Sequence, residues 1–178
     1  AYARMIARAL QKQLQLSDAF IEYLALFAPL HDIGKIAIPD SILHKAGALT
    51  ADEFERMKSH VKVGRDLVDQ ALEHFSLGDM EHTDMLRNIV QFHHEKLNGS
   101  GYLGAEGDEV PLEARIIAVA DILDALLNRR SYKDAWPQEK VFAELQKMAA
   151  HSELDQACVD VVLQQPQQVE EIQRRYPS

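Results

Sequence analysis

The sequence predicts an all-α fold. Apolar residues recur at helical spacing through most of the chain, Ser/Thr/Asp capping signals stand at the heads of these segments, and no block alternates apolar and polar residues as a strand would. At 178 residues the chain is long enough for one good core and short for two, so a single domain is expected.

Residues 2–14 carry Met5, Ile6, Ala9, Leu10 and Leu14 on a helical apolar face. Ser17-Asp18 reads as the N-terminal cap of a second helix, with Ile21, Leu24, Ala25, Ala28 and His31 near one face and a kink or break at Pro29. Gly34 supplies backbone freedom where polar side chains gather, and Pro39 limits any continuation. Thr50-Ala51-Asp52-Glu53 is a capping-box signal for a helix over 51–72, with Phe54, Met57, Val61, Gly64, Leu67 and Val68 at helical spacing and His60 in its middle. Residues 75–84 are less periodic and read as a loop. A further helix then buries Leu86, Ile89, Val90 and Phe92 and delivers His93 and His94 near its end.

Glycines 99, 101 and 104 mark residues 98–107 as a loop, either an ordinary surface turn or one opened for close approach of a ligand. Residues 112–128 form a helix dense enough in apolar residues to be central to the core, with Asp121 and Asp124 on one face. Pro137 starts a helix running to Ala150, and helices over 155–165 and 167–175 complete the domain.

Composition narrows the function classes. Hydrophobic residues at 47% and charged residues at 26% place the chain among folded soluble proteins. No apolar run is long enough to span a membrane, no signal-peptide pattern opens the chain, and the single Cys158 excludes an internal disulfide framework, so a cytoplasmic setting is expected. A formal charge of -9 disfavours duplex nucleic acid but leaves room for a small phosphorylated ligand in a locally positive pocket.

Against this background His31-Asp32-Ile33-Gly34-Lys35 stands out. It sets an imidazole, a carboxylate and an amine directly after the apolar run Leu24–Leu30; if that run is buried, the polar group is carried into the interior at a desolvation cost that a metal ion would offset. His31, Asp32, His60, His93, His94 and Asp121 together are the residue types that suit divalent first-row metals. Taken singly they are weak signals. A lone mid-helix His60 is commonly structural or exposed, and a hydrogen bond or salt bridge is the alternative reading of Asp121 in Ala118-Val119-Ala120-Asp121-Ile122.

The ordered series is more specific. His31-Asp32-Ile33-Gly34-Lys35-Ile36 with Ile38-Pro39-Asp40, Met57-Lys58-Ser59-His60, His93-His94-Glu95, Gly99-Ser100-Gly101-Tyr102, Ile116–Asp121 with Asp124-Ala125-Leu126, and Arg130-Ser131-Tyr132-Lys133 follow one another over residues 1–165. In this the chain resembles the HD-GYP family, the metal-dependent branch of the HD superfamily that hydrolyses the bacterial second messenger cyclic di-GMP. The resemblance implies an HD-superfamily helical bundle with an inter-helix loop over the metal site. It implies two or three divalent ions, Fe or Mn, with His31, Asp32, His60, His93, His94 and Asp121 as ligands and Asp32 as the bridge. Lys35 joins Asp32 as a catalytic residue that stabilises the transition state or protonates the leaving oxygen. Tyr102, Arg130 and Lys133 become substrate contacts, and Glu95 orients ligands or forms a structural salt bridge.

The expected activity is a phosphodiesterase giving pGpG and GMP from cyclic di-GMP; the alternative is a weak or inactive cyclic di-GMP-binding or protein-interaction output domain. Leu103 stands where the family name has proline, and Ser131 replaces another proline, so looser substrate positioning is expected. Family members also supply a histidine and, in three-metal cases, a glutamate from the first helix, at positions that align just before Ala1. The sequence is therefore expected to be the output part of a longer protein, behind a sensory or receiver domain, with a homodimer or a signalling protein as further partners.

Overall fold

The computed structural model describes residues 1–78, 80–128 and 135–176. Its elements are α1 (Tyr2–Leu14), α2 (Asp18–Phe27), α3 (Asp40–Leu43), α4 (Ala51–His74), α5 (Thr83–Phe92), α6 (Leu112–Leu127), α7 (Gln138–Ala150), α8 (Gln156–Gln164) and α9 (Pro166–Arg175). Among the described residues there is no strand; an isolated antiparallel bridge pairs Asn98 with Glu106. The all-α expectation therefore holds.

The ends of the helices follow from their caps. The Ser17 side chain accepts from the Phe20 N–H at 3.0 Å and opens α2. Thr50 and Glu53 make both bonds of the capping box at the head of α4. At Pro29 the α-helical ladder stops, and Ala28–Leu30 tightens into a 3₁₀ turn; a second one spans Ile33–Ala37. The chain therefore crosses His31 and Asp32 between two short turns, outside regular helix. These turns and the four-residue α3 have no period long enough to register in the sequence.

Helix α6 is apolar on nearly every side, and Ala114, Ile116–Ala120, Leu123 and Leu127 are buried. It meets α1, α5, α7 and α8 and forms the axis of the bundle. Helix α1 buries Tyr2, Ala3, Met5, Ile6, Ala7 and Leu10 between α2, α6 and α8. Its stripe is rotated from the expected one: Ala9 is exposed and Leu14 is 38% exposed, while Ala3 and Ala7 allow close packing. The last carbonyls of α6 are satisfied from distant segments, Leu126 by the Trp136 N–H at 2.9 Å and Leu127 by the Gln173 side chain at 2.9 Å. Helix α4 stands to one side, packed on α5 and on the Ile33–Ala37 turn, with a smaller apolar cluster of Val68, Leu72 and Val90 between α4 and α5. The chemistry-bearing residues gather where α4, α5 and α6 face the His31–Ala37 segment.

Candidate metal centre

Three backbone positions aim imidazoles at one carboxylate. His31 follows the 3₁₀ turn, and its Nδ1 lies 2.7 Å from the Ala28 carbonyl. His60, in the middle of α4 and 1% exposed, has Nδ1 2.6 Å from the Met57 carbonyl. His93, just past α5 and 2% exposed, has Nδ1 3.1 Å from the carbonyls of Ile89 and Val90. A carbonyl only accepts, so in each ring Nδ1 carries the hydrogen, and a neutral imidazole then has its lone pair on Nε2.

Those Nε2 atoms converge. His60 and His93 lie 3.5 Å and 3.6 Å from Asp32 Oδ1 and 3.4 Å from each other. His31 Nε2 lies on the other side, 3.3 Å from Asp32 Oδ2 and 3.7 Å from Asp121 Oδ1. Among the described residues, Asp32 Oδ1 and His31 Nε2 are buried with no hydrogen-bond partner. On the Oδ1 side of Asp32, where His60 and His93 approach, lone pairs thus face lone pairs in a half-buried pocket, an arrangement that a cation resolves and an apolar core does not. Donor atoms of Asp32, His60, His93 and His94 all lie within 4.8 Å of one another, a set fit for a metal ion. His31 and Asp121 flank that set on the Oδ2 side of Asp32.

The electrostatics differ between the two sides. Burial works against charging His31, but the Asp121 and Asp32 carboxylates outweigh it and push the imidazole up to about 10. His94, desolvated and beside His93 and His60, is pushed down to about 3, and burial with the His93 charge also lowers His60. Burial alone would raise Asp32 and Asp121; the imidazoles, with Lys35 at Asp32, hold both carboxyls below the usual range. One side of the site therefore holds neutral imidazoles ready to ligate, and the other an imidazole paired with two carboxylates.

Lys35, one turn after Asp32, donates to Asp32 Oδ2 at 2.6 Å. Tyr102 stacks over the site, its ring centroid 4.5 Å from that of His94 and 6.3 Å from that of His60. Arg130 and Lys133 lie outside the described residues. Among the described residues Glu95 differs from expectation, with no contact to a candidate ligand side chain and no salt bridge: it is buried and accepts from the Leu103 N–H at 2.8 Å and the Ala105 N–H at 2.9 Å. It therefore ties down the loop that carries Tyr102. The glycines of that loop have separate reasons: Gly99 has φ +75°, whereas a Cβ on Gly101 would stand 2.6 Å from the Glu95 Cα. Arg115 serves the fold, as its side chain suggests, by bonding the Val110 and Gly107 carbonyls and pairing with Asp108 and Asp155. Phe54, whose spacing with Met57 and Val61 reads as core, is instead 45% exposed beside Tyr102.

Comparison with known proteins agrees with this geometry. The HD domain family model matches residues 1–158. Over 169 residues the chain is 42% identical to the cyclic di-GMP phosphodiesterase response regulator RpfG of Xanthomonas campestris, covering 94% of this chain and 42% of that protein. Over 119 residues it is 44% identical to 3'3'-cGAMP-specific phosphodiesterase 2 of Vibrio cholerae, covering 66% of this chain and 22% of that protein. The chain thus spans less than half the length of these curated relatives. Among solved structures, Bd1817, a HDG"Y"P protein from Bdellovibrio bacteriovorus, shares the fold with a TM-score of 0.65 at 20% identity, covering 97% of this chain and 50% of that one. An all-helical bundle with its imidazoles gathered on the aspartate of a His-Asp pair, matched along most of its length by the HD domain model, belongs to the HD domain family and, within it, to the HD-GYP branch.

Proposed function

We propose that this chain is a metal-dependent phosphodiesterase that hydrolyses cyclic di-GMP to linear pGpG and on to GMP. The observation that supports this most is the Asp32 carboxylate, whose Oδ1 faces His60 and His93 while its Oδ2 faces His31 and Lys35. A carboxylate that straddles two donor sets suits a pair of divalent ions, with His60, His93 and His94 on one side and His31 and Asp121 on the other. Held by these residues, such ions, Fe or Mn, would supply a nucleophilic water at neutral pH and would neutralise charge on the phosphoryl oxygens.

The chain's own groups do the rest. The backbone carbonyls of Ala28, Met57, Ile89 and Val90 fix the imidazole tautomers, so no reorganisation is needed when a ligand arrives. Lys35, held at Asp32, turns to the phosphodiester and gives a proton to the departing ribose oxygen. Tyr102 packs on the nucleotide, and Arg130 and Lys133 take its phosphates. The relatives named above act on cyclic di-GMP in one case and 3'3'-cGAMP in another, so both are substrates to compare. In the cell we place this domain in the cytoplasm, as the output part of a longer signalling protein.

The test is turnover of both cyclic dinucleotides by protein reconstituted with Fe or Mn under reducing conditions, with products separated by chromatography. Appearance of pGpG, abolished by chelator and restored by metal, is the expected result. Tight binding of intact cyclic di-GMP without any product would overturn the enzyme reading in favour of a binding module.

A further inference from the structure

We propose that Phe54 is a nucleobase platform: its exposed ring stacks the purine of a nucleotide whose phosphate is held at the metal centre. The inference rests on the phosphodiesterase reading and adds to it a residue that sets preference for purine nucleotides.

Three observations carry it. Phe54 belongs to neither apolar cluster among the described residues and is 45% exposed, so its ring is not explained by packing in the core. It meets Tyr102 edge to face with centroids 5.9 Å apart, and Tyr102 in turn lies 4.5 Å from His94, so an unbroken run of rings leads from the solvent side to the ligand set. Lys58, one turn further along α4, sets its Nζ 5.6 Å from the Phe54 centroid and pairs with the exposed Glu55 at 2.7 Å. An exposed aromatic ring with a cation over it matches a purine, which offers a π-face to the ring and acceptor atoms at its edge to the ammonium. Two rings at right angles also form a corner, and a base seated in it projects its sugar-phosphate toward His94 and the other imidazoles.

The decisive variants are Phe54→Ala, which removes the side chain, and Phe54→Leu, which keeps an apolar side chain without a ring. With cyclic di-GMP both are expected to raise KM about ten-fold while kcat stays within about two-fold, the scale of one lost base–aromatic stack. A KM unchanged in Phe54→Ala, or restored to the unsubstituted value in Phe54→Leu, overturns the proposal. Phe54→Trp gives a readout independent of turnover, measured against the unsubstituted chain, whose single tryptophan is Trp136. GMP is expected to quench the added fluorescence saturably and ribose 5-phosphate is not; equal quenching by both, or none by GMP, overturns it. If the unsubstituted chain turns over no cyclic dinucleotide, the reaction assigned above fails, and the quenching alone decides for or against Phe54.

Discussion

The backbone of Gly34 rests on the main-chain carbonyl of His60 so closely that a β-carbon on Gly34 would lie 1.9 Å from that oxygen and 2.5 Å from the Gly64 nitrogen. The contact seats the His-Asp segment directly on the helix that supplies His60. Gly34 is not among the glycines with positive φ, so its role is close approach and not backbone freedom. Gly34→Ala forces the segment off α4 and is expected to cost about 3 kcal/mol, at the upper end of ordinary overpacking. It should also lower bound metal per chain. Gly78→Ala is the control, because nothing lies within 4 Å of its added carbon. Urea denaturation and metal analysis of both variants check the difference.

Asp32 carries the arrangement of the donors. Replacing it with Asn keeps the shape but leaves an uncharged amide where two oxygens faced three imidazoles. Asp32→Asn is expected to reduce phosphodiester turnover about a hundred-fold or more and to lower metal stoichiometry, while the helical circular dichroism remains that of the unsubstituted chain. Unchanged turnover at full metal loading would remove the bridging role.

Much of this was legible in the sequence, and the boundary has a physical cause. Apolar periodicity and caps report what a segment does along its own axis, so α4 was expected over 51–72 and runs Ala51–His74, and Pro137 precedes a helix ending at Ala150 as expected. The His-Asp motif and its spaced imidazoles were visible because chemistry fixes residue types. What stayed hidden depends on approach between distant segments. The fit of Gly34 against Gly64, the exposure of Phe54, and the grip of Glu95 on the loop beyond it are set by how helices cross. Nor does any local pattern reveal that the two oxygens of Asp32 face different imidazoles.

Glu95 offers a separation of loop from metal. Its two oxygens accept two backbone N–H groups, from Leu103 and Ala105, in a buried position. Glu95→Gln turns one acceptor into a donor that meets a donor, a loss of about 2 kcal/mol including the N–H left unpaired. The loop bearing Tyr102 loosens while Asp32, His60 and His93 keep their places. Metal content should therefore hold and KM for cyclic di-GMP should rise several-fold. A fall in metal content with unchanged KM would show that Glu95 acts on the ligands instead.

Asp69 ties together the two helices that bring His60 and the His93-His94 pair. Its oxygens accept from Arg65 Nε on α4 and from Arg87 Nε on α5, each at 2.7 Å, and Arg65 also bonds Gln91 on α5. Partial burial raises the Asp69 carboxyl, but the guanidinium groups of Arg87 and Arg65 outweigh it and hold it below the usual carboxylate range. A depressed folded value means that the unfolded chain binds the proton first. The stabilisation is therefore complete above the ordinary carboxylate pKa, and it fades as pH falls through the folded value. At 41% side-chain exposure, solvent screening limits it to about 0.5–1 kcal/mol. Asp69→Asn should thus be less stable than the unsubstituted chain by that amount at pH 7, and the gap should close toward pH 3. Urea titrations of both proteins in chelator, which keeps acid release of metal out of the comparison, measure it. A gap that persists unchanged into acid would assign the effect to packing of the side chain and not to its charge.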